Sequence, residues 1–284
     1  MGFTMSVEAF QALRCPLDHE TLQREERRWV CSNGHSFDIA KEGYVHLLPV
    51  QQKRSKDPGD SKEMVLARRQ FLNAGHYQKI ADAVVEAVLR DVPQRPLHCL
   101  DAGCGEGYYL RELARQTPEG ITLFLSGLDI SKWAVQAAAK QDSRPSWMVA
   151  SNANIPVQTN RVDCVLCLFG FPVYAEFARV LKPGGILLMA DPGPGHLQQL
   201  REVIYPSLRT APGAEPSFPP GFTELSVETL QHEIVLETPA AIQQLLSMTP
   251  HLFRASAEGK ERAMALTRLP LNLEISIRRL CRNA

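Results

Sequence analysis

Between residues 97 and 191 the chain alternates short apolar runs with stretches of helical spacing. The runs 97–101, 121–129, 147–150, 161–169 and 186–190 have the length and continuous apolarity of strands buried on both faces. Between them, 108–113, 131–140 and 175–180 read as helices. Strand–helix alternation of this kind predicts an α/β fold with a doubly wound parallel sheet. Upstream, 61–72 and 77–89 carry helical patterns, the second with Ile80, Val84, Val85 and Val88 on one face. Downstream, 222–237 reads as a strand. In 269–277, Leu269, Leu271, Leu273, Ile275 and Ile277 alternate with Asn272, Glu274 and Ser276, as in a half-exposed antiparallel strand. Two closing strands after five parallel ones predict a seven-stranded sheet.

Turn residues dominate the first 45 positions, and a polar linker with a Pro58-Gly59 turn follows over 46–62. The expected division is a small Cys/His domain at 1–50, a basic linker with helices at 51–95, and the main domain at 96–284. Residues 210–221 are too rich in proline for regular structure. The 284-residue chain is 44% hydrophobic and 22% charged, ordinary globular material. No apolar run has the roughly 18–20 residues of a membrane span, and no signal peptide is visible. Seven cysteines, an odd number, point to reduced thiols and a cytoplasmic setting. A formal net charge of zero excludes a globally basic nucleic-acid binder but not a local patch. Residues 51–70 hold six basic residues (Lys53, Arg54, Lys56, Lys62, Arg68, Arg69) against three acids. From Arg254 onward seven basic residues face three acids. Each stretch is either a track for a phosphate backbone or a solvated helix face.

The candidate chemistry starts at 101–107, Asp-Ala-Gly-Cys-Gly-Glu-Gly, where a strand feeds a glycine-rich turn that opens a helix. Gly103, Gly105 and Gly107 permit close backbone approach, and the helix start offers free N–H groups. The third glycine arrives one residue too early for the dinucleotide fingerprint, and the lysine of a triphosphate loop is absent. The pattern resembles motif I of S-adenosylmethionine-dependent methyltransferases, whose loop cradles the methionine part of that cofactor. Asp129, 22 residues after Gly107, ends the next strand, where a carboxylate can take both ribose hydroxyls. The polar segment 151–156 follows the third strand, at a position where methyltransferases of this class place a residue against the adenine edge. Leu181-Lys182-Pro183-Gly184-Gly185 resembles the turn before their fifth strand: proline stops the helix and the glycines reverse the chain. Cys164 and Cys167, three apart in a strand, point to opposite faces as core thiols.

At the N-terminus Cys31 and His35 form one metal-ligand pair. Cys15 needs a partner three residues on, where Asp18 stands, and the adjacent His19 is an alternative. The metal-free alternative is a hairpin packed around Trp29, Phe37 and Tyr44. These turns belong to a longer series: Cys15-Pro16-Leu17, residues 35–45, Leu47-Leu48-Pro49-Val50, residues 53–60, Ala74-Gly75-His76-Tyr77, residues 103–109, Pro192-Gly193-Pro194 with His196-Leu197, and Met248-Thr249-Pro250. Through them nearly the whole chain resembles the 23S ribosomal RNA guanine-N1 methyltransferases of the RlmA type, relatives of a tylosin-resistance enzyme.

The resemblance implies a class I, Rossmann-like methyltransferase domain behind a small zinc-ribbon-like domain that helps grip a ribosomal RNA hairpin. It implies a homodimer whose cleft admits the RNA. Cofactor contacts of the family fall on Tyr77, Gly105, Glu106 and His196, and its zinc ligands on Cys15, Cys31 and His35. The fourth ligand is a cysteine in the family and Asp18 here. With Asp101, Gly103, Gly107 and Asp129, these residues make up the expected S-adenosylmethionine site. Tyr77 and His196 also have plain readings, as a packed helix start and a helix-entry residue. Phe169 and Phe171 end the fourth strand, where an aromatic ring can stack on a flipped guanine or simply pack. Guanine N1 carries a proton near neutral pH, so methylation needs that proton removed or the charge at O6 stabilised. No general base is evident: Asp191, at the end of the fifth strand, is equally a structural residue. Two rival readings are a small-molecule methyltransferase of quinone type and a non-catalytic RNA-binding protein. The Cys/His module disfavours the first, and the intact glycine loop disfavours the second.

Overall fold

The computed structural model describes residues 6–52, 55, 57–90, 96–207, 219–249 and 251–284, with backbone alone at 252 and 253. The strands are β1 (Ser6–Ala9), β2 (Gln23–Glu25), β3 (Arg28–Val30), β4 (Ser36–Asp38), β5 (Tyr44–His46), β6 (Leu97–Ala102), β7 (Thr122–Asp129), β8 (Ser146–Val149), β9 (Val162–Leu168), β10 (Leu181–Pro192), β11 (Phe222–Leu236) and β12 (Leu269–Arg282). The helices are α1 (Lys62–Asn73), α2 (Gln78–Leu89), α3 (Tyr108–Gln116), α4 (Lys132–Gln141), α5 (Tyr174–Val180), α6 (Gln198–Ile204), α7 (Pro239–Met248), α8 (His251–Arg254) and α9 (Ala257–Met264).

The expected seven strands are all present, in the order β11-β12-β10-β9-β6-β7-β8. Strands β6 to β10 are mutually parallel, while β12 runs antiparallel to both β10 and β11. The chain winds outward from β6 through β7 to β8, then returns to the other side of β6 with β9. A crevice therefore opens at the carboxyl ends of β6 and β9, the place where open α/β sheets bind ligands. Two strands more than expected join this sheet. β5 extends it beyond β8, and β1 pairs in parallel with the first half of β7, Ser6 opposite Thr122. The remaining N-terminal strands form a separate three-stranded ribbon, β2-β3-β4.

Burial on both faces explains the continuous apolar runs. Cys164, Leu166, Leu188 and Ala190 pack with helices α1 to α4 and α7 on one face. Val165, Cys167, Leu187 and Met189 face the other way, against α5 and the N-terminal segment. Cys164 and Cys167 thus lie on opposite faces as buried free thiols. Phe10, Leu13, Leu22, Trp29 and Leu47 join that second core, so the ribbon is packed onto the sheet.

Three local expectations change. The turn at 181–185 lies inside β10 as an irregularity between Leu181 and Ile186, because Leu181 pairs with Val162 before Gly184 reverses locally at φ +75°. The closing strand continues past residue 277 to Arg282, carried by its pairing with β11. The linker is also not uniformly solvated. Its turn docks against the start of α4: a Cβ on Gly59 would lie 2.9 Å from the Ile130 side chain, and the Ser131 hydroxyl donates to the Asp60 carbonyl at 2.7 Å. Lys53, Arg54 and Lys56, most of the proline-rich segment at 210–221, and Pro250 lie outside the described residues. Among the described residues no helix is long and apolar enough to cross a membrane.

Candidate functional site

β6 delivers Asp101 and Ala102 to the crevice, and the glycine loop turns there into α3. The N–H groups of Gly103 and Cys104 both donate to the Leu128 carbonyl at 2.9 Å, which ties the loop to the end of β7. All three glycines have positive φ: +106° at Gly103, +53° at Gly105 and +83° at Gly107. Their reasons differ. Beside Gly103 the space a side chain would take is open. A Cβ on Gly107 would lie 2.6 Å from Trp147, so this glycine serves close packing of α3 and the loop onto that ring.

The acids at the loop are unequally satisfied. Asp129 accepts from the Gly105 N–H at 3.0 Å and from the Ser131 N–H at 2.8 Å. Burial raises its pKa against the pull of those two bonds. Asp101 is 1% exposed, and neither carboxylate oxygen has a hydrogen-bond partner. Burial, then repulsion from Asp129, pushes its pKa up to about 8. A buried, unpaired carboxylate is costly, and a cationic ligand group would relieve it. Glu106 is engaged within the protein, where its carboxylate meets Arg111 Nη2 at 3.0 Å and also accepts from Gln141. What Glu106 offers the crevice is therefore its backbone.

An aromatic wall stands beside the loop. Tyr77 is buried at the start of α2, its ring centroid 6.3 Å from that of Phe169 and 6.4 Å from that of His196. Tyr109 lies 6.5 Å from Phe169. Phe169 has φ +55°, rare for a bulky residue, and its N–H donates to the Ala190 carbonyl at 2.8 Å. The structure thus brings Tyr77, Phe169 and His196 together from three distant parts of the sequence. His196 Nδ1 accepts from the Glu274 N–H at 3.3 Å, which leaves the proton on Nε2. Burial, helped by the neighbouring His251 and Arg201, pushes its pKa down to about 4, so the ring is neutral at physiological pH. Phe171 is 89% exposed. The charge of Asp191 is felt by Cys167 and Tyr174, on the sheet face away from Tyr77. Burial raises its pKa and Arg278 opposes the shift.

The polar segment 151–156, expected beside the adenine, does reach the crevice through Asn152, whereas Arg68 was not legible as a site residue. Asn152 Nδ2 donates to the carbonyls of Ala102 (3.3 Å) and Phe171 (3.4 Å), bridging the ends of β6 and the loop after β9. Arg68, expected on a basic surface stretch, instead reaches over Gly105 from α1. No spacing rule connects a residue in an upstream helix to the glycine loop.

The N-terminal turns converge on a second site. Asp18 Oδ2 lies 2.9 Å from His35 Nδ1 and 3.3 Å from Cys31 Sγ. His35 Nδ1 is 3.4 Å from Cys31 Sγ and 3.6 Å from Cys15 Sγ. All four ligand atoms fall within 4.8 Å of one another. Tetrahedral zinc with ligands at about 2.0–2.3 Å has ligand–ligand edges of about 3.3–3.8 Å, the range of the three separations that involve sulfur. Asp18 thus occupies the position left open between itself and His19. His19 takes φ +68°, is exposed, and lies outside the cluster. Gly34, at φ +83°, closes the Cys31–His35 turn by donating to the Cys31 carbonyl at 3.0 Å.

Comparison with known proteins follows the same division. A family described as "RlmA, N-terminal", a zinc ribbon, matches residues 13–56, and a "Methyltransferase domain" family matches 99–185. The 23S rRNA (guanine(748)-N(1))-methyltransferase of Streptomyces fradiae is 32% identical over 194 residues, 68% of this chain and 67% of that protein. A Micromonospora griseorubida protein, provisionally described as a 23S rRNA (guanine-N(1)-)-methyltransferase, is 35% identical over 66% of this chain and 68% of its own length. A third relative, from Bacillus subtilis (strain 168) and with the same provisional description, is 31% identical over 69% of this chain and 70% of its length.

Proposed function

Because the chain belongs to the family of 23S rRNA (guanine-N1)-methyltransferases, we propose that it methylates N1 of a guanine in a hairpin of 23S ribosomal RNA. The observation that carries the chemistry is the crevice at the β6–β9 switch, where Asp101 is buried without a partner beside an open Gly103. These residues fit S-adenosylmethionine, which supplies an electrophilic methyl group and carries positive charge for Asp101 to balance. Asp129 is the ribose ligand, with its two oxygens already preoriented by the Gly105 and Ser131 N–H groups. The backbone of Gly103, Gly105, Glu106 and Gly107 cradles the rest, and Tyr77 and His196 close the side wall. A neutral His196 adds no like charge next to a sulfonium.

Phe169 is the residue for the target base. Its strained backbone holds an aromatic ring 39% exposed at the mouth of the crevice, where a flipped guanine can stack. Phe171, further out, meets the RNA strand. The burden on the protein is alignment and removal of the N1 proton, since the donor is already reactive. The ribbon, with its zinc cluster, grips the hairpin, and the enzyme acts as a cytoplasmic homodimer. Seven cysteines, an odd number, are in keeping with a reducing compartment.

Incubation with S-adenosylmethionine and 23S rRNA lacking the mark should add one N1-methylguanine, detected by mass spectrometry of RNA digests. Unmodified RNA alongside methylation of a small molecule would overturn the reading.

In the ribbon, Cys15, Asp18, Cys31 and His35 hold zinc. A carboxylate in place of a thiolate gives a softer metal a poorer match, so the site is expected to exchange zinc readily. Asp18→Cys should retain one equivalent through chelator challenge that strips the parent protein, as read by metal analysis. Equal retention by both proteins would show that Asp18 is as good a ligand as cysteine here.

A further inference from the structure

We propose that Arg68 holds the carboxylate of the methionine moiety of the methyl donor, so that helix α1, outside the methyltransferase sheet, completes the cofactor site. The inference rests on the cofactor reading above. Its geometric basis is the ceiling of the glycine loop. Arg68 Nη1 lies 3.6 Å, and Cδ 3.8 Å, from the point a Cβ on Gly105 would occupy. Among the described residues no other non-neighbouring atom comes within 4 Å of that point. The guanidinium thus covers the stretch of backbone that the family reading places against the methionine part.

Its position is fixed from two sides. Asp60, in the docked linker turn, forms an ion pair with Nη1, and the Met248 carbonyl at the end of α7 accepts from Nη2 at 3.1 Å. These contacts use two of five N–H donors and leave the others for a ligand. The rest of the crevice explains what such a ligand needs. S-adenosylmethionine brings a carboxylate as well as its cationic centres. Asp101 and Asp129 suit cations and hydroxyls but repel a carboxylate. Arg111, the other arginine near the loop, is already paired with Glu106. Arg68 is the cation that balances a site otherwise lined with acids, and a planar fork suits a carboxylate better than a lysine would.

The test is selectivity between ligands, read by titration calorimetry on the full chain. S-adenosylhomocysteine carries the amino-acid carboxylate, whereas 5′-methylthioadenosine has the same nucleoside and sulfur without it. Arg68→Ala should weaken S-adenosylhomocysteine at least tenfold and methylthioadenosine less than twofold. Arg68→Lys, which keeps a charge while losing the fork, should fall between, and it carries the test if the alanine variant does not fold. Equal loss for both ligands would make Arg68 a purely structural tie between Asp60 and α7, and no loss for either would remove it from the site. A parent protein that binds neither ligand would instead overturn the cofactor reading, an outcome separate from either of these.

Discussion

Gly107→Ala should yield a protein that melts well below the parent and loses measurable affinity for S-adenosylmethionine. Two costs combine. At φ +83° an alanine is strained by roughly 1–2 kcal/mol. Its methyl group would also sit 2.6 Å from Trp147 and 3.1 Å from Ala138. Trp147 is 1% exposed, and its indole N–H donates to the Asp142 carbonyl at 2.6 Å, so it cannot retreat without breaking a buried hydrogen bond. Overpacking of this kind costs about 1–3 kcal/mol, giving on the order of 3 kcal/mol in all. The strain falls on the turn that links β6 to α3, and the cradle loses its shape with it. Gly103→Ala is the informative companion. Its φ of +106° imposes strain, but among the described residues no non-neighbouring atom lies within 4 Å of the new methyl, so it should melt closer to the parent. Thermal melts and calorimetric titration of both variants decide the matter. A Gly107→Ala protein that binds as tightly as the parent would refute the packing argument.

Asp101→Asn should separate stability from binding: the ligand-free protein becomes more stable at pH 7 while the methyl donor binds at least tenfold more weakly. Asp101 has a pKa of about 8 in the fold, against roughly 4 in an unfolded chain. Between those values the folded state holds one more proton than the unfolded state. Stability therefore falls as pH rises from about 4 to 8, with the full contribution present below the unfolded pKa. Asparagine has no such dependence, and the ionisation cost it removes at pH 7 is about 4 kcal/mol. The price is the lost negative charge opposite a cationic ligand. Melting temperatures of parent and variant across pH 5 to 8.5, with and without S-adenosylmethionine, test both halves. Parallel pH profiles for the two proteins would show that Asp101 is ionised and satisfied in the fold. A strained, destabilised group that the ligand relieves is a common feature of binding sites.

What was legible in the sequence follows what short-range patterns encode. The central strands and the helices between them were readable because burial on two faces leaves continuous apolar runs. The glycine loop was readable because positive φ restricts residue choice. β1 and β5 were not, since strands of four and three residues carry no period, and only their neighbours in the sheet define them. The cysteine and histidine turns were visible from spacing, yet the choice between Asp18 and His19 depended on a backbone dihedral. Arg68 looked like part of a solvated basic run because its partners, Asp60 apart, lie in segments far away along the chain. The wall of Tyr77, Phe169 and His196 likewise has no local signature, and family likeness supplied two of its three members.

The weaving of β1 and β5 into the large sheet bears on how this enzyme can diversify. A ribbon tethered by a string could be traded between relatives like a cassette, redirecting the enzyme to another RNA. Here a junction at residue 50 would pull two strands off β7 and β8 and strip Phe10, Leu13 and Leu47 from the core they share with Leu187 and Val165. The part proposed to read the RNA and the part that transfers the methyl group must therefore drift together, substitution by substitution, and new target preferences would arise by point changes on the ribbon's outer face.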